Sequence, residues 1–270
     1  MKVLWPIAYI TLKEGIRNRA IYGISLFAFL LLGLNMLIAN LAPRDVGKVA
    51  VDIALSTISF SGLLIVLFVA INLMAKDLDK KTIHMVLSKP ISRSEYIWGK
   101  FFGIALILVL TVIFISIFAA LSLYILKAGY ESFFLRFSWP LVFLAIFFIV
   151  MSLILLSALS LLFASFSSTS FITLVLTILT YLVGRSLSDI KALIETASIA
   201  GATVSPITAK VVEVAYYIFP NFAFFDIKMN AAHGLSVPIA TVFWTVLYCL
   251  IYGTLALTAA SLVFRRKEFP

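Results

Sequence analysis

FSWPLVFLAIFFIVMSLILLSALSLLFASFSSTSFITLVLTILTYLVG, Phe137–Gly184, runs for 48 residues without Asp, Glu, Lys or Arg. As one helix it would measure roughly 72 Å at about 1.5 Å per residue. A bilayer offers a hydrocarbon core of only about 30 Å, so the run must turn back on itself. Ser165–Ser170, SFSSTS, is the expected hinge, because its small polar side chains can serve the backbone of a turn. The longest apolar stretch therefore supplies two membrane crossings.

Four other charge-free runs flank it: Ala20–Pro43, Ile53–Ala75, Phe101–Leu126 and Ile239–Phe264. Each meets the length of about 20 residues that a crossing needs. The spans are placed at about 21–42, 53–75, 101–126, 139–164, 170–186 and 238–264. The chain has 270 residues, 63% hydrophobic and 12% charged, far from the roughly 45–50% and 25% of soluble domains. The expected fold is a single all-α transmembrane domain covering 1–270.

Several chemistries are excluded early. One cysteine, Cys249, and two histidines, His84 and His233, provide neither a disulfide framework nor a zinc-binding spacing. No metal site and no catalytic residue are expected, and the many Ser and Thr read as helix-packing groups. The chain has no GxxxxGK[ST] loop to cradle a nucleotide, so energy for any transport must come from another subunit. The net charge of +9 reads as the positive-inside bias of a membrane protein rather than a nucleic-acid surface. Lys13, Glu14, Arg17 and Arg19 interrupt the apolar start, which is unlike a signal peptide.

An even number of spans places both termini on one side. Taking that side as cytoplasmic puts thirteen Lys and Arg inside and eight outside, as the bias requires. The charge-free runs also lack the carboxylates of proton relays and the interior prolines of broken-helix carriers. Thr173, Thr177 and Thr180 share one helical face, with Tyr181 beside it. With Asn72, they are the candidate pathway lining. The alternative for them, and for Asn35 and Asn40, is hydrogen bonding within and between helices.

Outside the membrane, 187–237 is expected to be a helical cap. Ser188 and Ser205-Pro206 are helix-start signals, and Tyr216–Phe225, YYIFPNFAFF, suits the aromatic belt of the interface or a substrate gate. On the cytoplasmic side, Trp5, Tyr9, Leu12 and Ile16 align on one face of an interfacial helix over 1–20. The loop 76–100 is the more telling segment. Asp77 or Asp79 can start a short helix whose Ile83, Val86 and Leu87 share a face, and Lys89-Pro90 ends it. Ser92–Glu95 is a capping box that opens a helix leading into the third span. A short helix fixed to two span ends is a lever.

The segment Asp79–Lys100, DKKTIHMVLSKPISRSEYIWGK, resembles the signature of the ATP-binding-cassette type-2 permease family. Asp79, Thr82, Leu87, Ser88, Pro90, Ile91, Ser92, Arg93, Tyr96, Gly99 and Lys100 carry the likeness. LKEGIRNRAIY (Leu12–Tyr22) and FRRKEF (Phe264–Phe269) are similar to the family's ends. Many members have Glu and Gly-Thr where this chain has Asp79 and Lys81-Thr82.

The resemblance implies a permease dimer in a prokaryotic inner membrane, with two separate ATPase subunits that hold ATP and magnesium while this chain binds no cofactor. It implies that the loop is a coupling helix, with Asp79, Lys80, Lys81, Thr82, Ile83, Val86, Leu87, Ser88, Lys89, Pro90, Arg93 and Glu95 as the ATPase-coupling residues. It also makes the amino-terminal helix an elbow and puts the pathway near the second and fifth spans. The expected function is the membrane subunit of an ATP-driven exporter, not itself an enzyme, in contact with lipid and a candidate external partner protein. The alternatives are an ATPase-coupled subunit that transmits force without moving a solute, and an ATP-independent channel or carrier.

Overall fold

The computed structural model describes residues 4–41, 45–73, 92–167, 169–199 and 205–266. Their elements are α1 (Leu4–Ile16), α2 (Arg19–Leu41), α3 (Val46–Ile65), α4 (Arg93–Gly129), α5 (Trp139–Phe166), α6 (Ser170–Ile199), α7 (Pro206–Ile218), α8 (Lys228–His233) and α9 (Ile239–Arg266). A π turn, Val66–Ala70, carries α3 on to Leu73. No strand occurs among the described residues, and six helices, α2 to α6 and α9, are long and apolar enough to cross a membrane. The protein is an all-α integral membrane protein.

The serine hinge behaves as its chemistry suggests. α5 ends at Phe166, Ser167 is extended (φ −67°, ψ 148°), and α6 starts at Ser170. The Ser165 hydroxyl donates to the Leu162 carbonyl, one of the last carbonyls of α5 (2.6 Å). Pro140 sits in the first turn of α5, where its missing N–H costs nothing.

α4 is the central helix, packed against α1, α2, α3, α5 and α9, while α5 in turn packs on α3, α6 and α9. Ile97, Val112, Ile115, Phe148 and Leu155 lie wholly buried between them. α3 is the most enclosed span; α2, α6 and α9 leave most of their surface open. Asn35 joins α2 to α3, its buried amide donating to the Ala50 carbonyl (3.0 Å). That is the interhelical role weighed for it above; the side chain of Asn40 lies outside what is described.

The helices overrun the charge-free runs. α3 begins ahead of Lys48 and Asp52, and α4 begins at Arg93 rather than Phe101. α6 continues through Arg185, Asp189 and Lys191 to Ile199, about 45 Å in all. Absence of charge marks the hydrocarbon layer, whereas a helix can extend into the headgroups and beyond. Ser188 is thus in mid-helix, not a helix start, and its hydroxyl accepts from the Asn221 amide (2.7 Å).

α7 packs back on α6, with the Lys191 ammonium 4.4 Å from the centre of the Tyr216 ring. Beyond it the chain re-enters the protein. Phe222–Phe225 form a 3₁₀ turn, and Phe222 and Phe225 are 1% and 2% exposed. The aromatic run is therefore divided: Tyr217 and Ile218 are exposed on α7, while these two phenylalanines belong to the core. In a 3₁₀ turn, residues i and i+3 point the same way, which lets both rings enter together. Buried irregular backbone needs internal partners. The Asn221 N–H donates to the Tyr248 hydroxyl (2.8 Å), and the Asn221 side chain accepts from the Ala223 N–H (3.0 Å).

Candidate functional site: a junction of helix ends

The motif that carries the family likeness ends in the first turns of α4. Ser92 is the N-cap, its hydroxyl accepting from the Glu95 N–H (3.2 Å). The Glu95 carboxylate accepts in return from the Ser92 N–H (3.0 Å) and hydroxyl (2.8 Å). This reciprocal cap satisfies donors that a helix start leaves open. Glu95 is committed to holding the start of α4.

From this base, α4 reaches two other helices. The Arg93 guanidinium donates to the carbonyls of Phe264 and Arg265, both at 3.1 Å, in the last turn of α9. The Lys100 ammonium, on a residue only 5% exposed, donates to the carbonyl of Leu73, beyond the π turn of α3 (3.1 Å). The last carbonyls of a helix lack partners within it, and cations suit the negative end of the helix dipole. Tyr96 lies between the two cations, its ring stacked on Phe264 (5.7 Å, 16° between planes) with the Lys100 ammonium 6.0 Å from its centre.

α1 sits on the same base. A Cβ on Gly99 would come within 2.8 Å of the Ile7 side chain, and one on Gly103 within 2.8 Å of the Ala8 carbonyl. Glycines four residues apart let two helix backbones approach closely. α1 meets α4 through Ile7, Ala8, Thr11 and Gly15, which are buried. Of the face expected from the periodicity, Trp5, Tyr9 and Ile16 are exposed, while Leu12 is half-buried against the core. Lys13, Arg17, Asn18, Asn72 and Leu73 border a cavity of about 600 Å³ beside it.

Of the expected coupling set, Arg93 and Glu95 are described. Asp79, Lys80, Lys81, Thr82, Ile83, Val86, Leu87, Ser88, Lys89 and Pro90 lie outside the described residues. Asn72 is exposed on the last turn before them, its amide donating to the Phe68 carbonyl. Thr173, Thr177 and Thr180 are buried within the chain. The Thr177 hydroxyl donates to the Thr173 carbonyl (2.7 Å), the bonding within a helix weighed as their alternative. Tyr181 packs on Phe222, ring centres 5.4 Å apart.

A second polar cluster, missed in the sequence, holds the opposite end. Arg185 on α6 forms an ion pair with Asp226, whose carboxylate also accepts from the Lys228 N–H (3.3 Å). The Lys228 ammonium reaches the Ser56 hydroxyl on α3 (3.4 Å). Burial lowers the Lys228 pKa from its ordinary value; Asp226 opposes that shift, Arg185 adds to it, and Asp52 opposes it. The Tyr252 hydroxyl donates to the Ile218 carbonyl (2.9 Å). The one signal available for this cluster was an Asp and a Lys placed directly after an aromatic run.

Residues 39–262 match a family model described as ABC-2 family transporter protein. The chain is 32% identical over 136 residues to "Probable ABC transporter permease protein NosY" of Stutzerimonas stutzeri, covering 48% of this chain and 49% of that protein. It is 34% identical over 115 residues to the protein of that name from Pseudomonas aeruginosa, covering 41% and 42%. The chain spans about half the length of the curated relatives it matches. The family match, by contrast, extends from the end of α2 to the last turns of α9. With six helices fit to cross a membrane and a helix-end junction built from the motif, this chain belongs to the ABC-2 transporter family.

Proposed function

We propose that the chain is the membrane permease subunit of an ATP-driven exporter. It works as two copies with separate ATPase subunits that hold ATP and magnesium, in a prokaryotic inner membrane with both termini cytoplasmic. The observation that carries this reading is the junction: Leu73 of α3, the last turn of α9 and the length of α1 are all fixed to the base of α4. Residues 74–91 connect Leu73 to Ser92 along the sequence. Force applied to this segment by an ATPase meets a base already joined to three other helices. Family membership and the permease names of the two relatives support the same reading. The Asn72 and Thr173/Thr177/Thr180 pathway then requires α6 to separate from its neighbours, because the threonine face is covered within the chain.

Force transmission without solute transport is the second reading. It is favoured by the long α6–α7 hairpin, whose apolar Ile207, Val211, Val214 and Ile218 are exposed along one side and could meet an external partner. Co-expression with candidate ABC ATPase subunits from the same genome tests both ATP-linked readings. The ATPase should co-purify in mild detergent, and Leu87→Asp should abolish permease-dependent ATP hydrolysis. A chain that never retains an ATPase, yet passes ions or solutes in vesicles without ATP, is a channel or carrier instead. Cross-links that open at Thr177 with ATP select transport over force transmission.

A further inference from the structure

We propose that Lys100 and Arg93 are positioning residues that fasten α3 at Leu73 and the last turn of α9 to α4, so that α3, α4 and α9 shift as one body when the segment between Leu73 and Ser92 is pushed. The proposal rests on the ATPase-coupled reading and names the linkage inside it.

The last carbonyls of a helix have no partner within it, and those of α9 find one on a neighbouring helix. The carbonyls of Leu73, Phe264 and Arg265 all accept bonds from cations on α4. Arg93, Tyr96 and Lys100 fall at i, i+3 and i+7, a single face of α4. The two cations stand about 10 Å apart along the axis, each bonded to a different helix, with the Tyr96–Phe264 stack between them. Charge-assisted bonds are stronger than neutral ones, and Lys100 makes its bond while almost wholly enclosed.

Above Leu73, α3 is interrupted by the π turn Val66–Ala70. A local change in the hydrogen-bond ladder is where a helix bends. The lower end of α3 can therefore follow α4 while the π turn absorbs the difference from the rest of the span. A cap serving stability alone would not require the end of α3 and the base of α4 to keep step, and this separates the two roles.

The test places spin labels on Asn72→Cys (end of α3), Phe102→Cys (α4) and Leu262→Cys (α9), each paired with Phe171→Cys on α6, in a Cys249→Ser background. Distances are measured by pulsed electron resonance in the complex with its ATPase, before and after ATP binding, and in the permease alone. With Lys100 and Arg93 intact, all three pairs shift together on ATP binding. Lys100→Met loses the shift of the Asn72 pair and keeps that of the Phe102 pair, and Lys100→Arg restores it. Arg93→Gln does the same to the Leu262 pair, and carries the test by itself if Lys100→Met yields no protein. Asn72 and Phe102 pairs that still shift together in Lys100→Met overturn the proposal. A complex with both cations intact but no ATP-dependent shift defeats the coupled reading instead. The fastening is then judged in the permease alone: Lys100→Met must broaden the Asn72–Phe171 distances and not the Phe102–Phe171 distances, and an unchanged Asn72 distribution overturns it.

Discussion

The two ends of the molecule solve one problem, holding helix ends together, by different means. At the α4 base, side chains from a single helix reach the backbone of two others, so one short segment organises the whole end. At the opposite end the work is spread over α3, α6, α9 and the segment after α7, and three bonds join one side chain to another. The first arrangement depends on few residues and tolerates change in the backbone it grips. The second depends on matched partners, so losing one leaves the other stranded.

That contrast can be broken. Phe222→Ala should have the largest effect, about 3–5 kcal/mol for emptying a fully buried phenylalanine site. Hydrogen exchange should show the loss over 219–233, with the α4 base still protected. Equal loss at both ends would mean that they are one cooperative unit. Gly103→Leu is the counterpart at the other end. Overpacking against α1 costs about 1–3 kcal/mol, and should release α1 while leaving the Phe222 turn protected.

Arg185→Met leaves Asp226 without its ion-pair partner. Both groups are partly exposed, so the expected loss is about 1–2 kcal/mol rather than that of a fully buried pair. A double-mutant cycle with Asp226→Asn should recover part of it. The smallest effect concerns pH. Lys228 has its pKa depressed, chiefly by burial, so between that lowered value and its ordinary 10.5 the unfolded chain binds more protons than the folded one. Stability contributed at this end therefore rises with pH across that window. Lys228→Met should remove that portion of the slope, and an unchanged profile would mean the ammonium is hydrated.

The difference between the ends also explains what could be read from the sequence. The six spans and the serine break were legible because they depend on composition over tens of residues. The Ser92–Glu95 cap was legible because its partners are three residues apart. Arg93 was singled out as a coupling residue, and nothing local shows that it also has partners in α9, 171 and 172 residues later. Lys100 was visible only as part of a motif, because its 27-residue reach to Leu73 is a fact of packing. Phe222 and Phe225 were assigned to the membrane interface because hydropathy gives no indication whether a ring meets lipid or protein. Ser188 misled because a helix-start residue in mid-helix looks the same in the sequence as one at a true start.

The Arg93 bonds to α9 have a consequence for biogenesis. Phe264 is synthesised 171 residues after Arg93, an interval of roughly 10–30 s at about 5–20 residues per second. Until the last span is inserted, Arg93 cannot make these two bonds and Tyr96 cannot stack on Phe264. The contacts that α9 brings to the base of α4 thus form only after the ribosome has delivered Phe264 and Arg265. A chain truncated before Phe264 would leave the base of α4 without the Arg93 bonds and the Tyr96 stack.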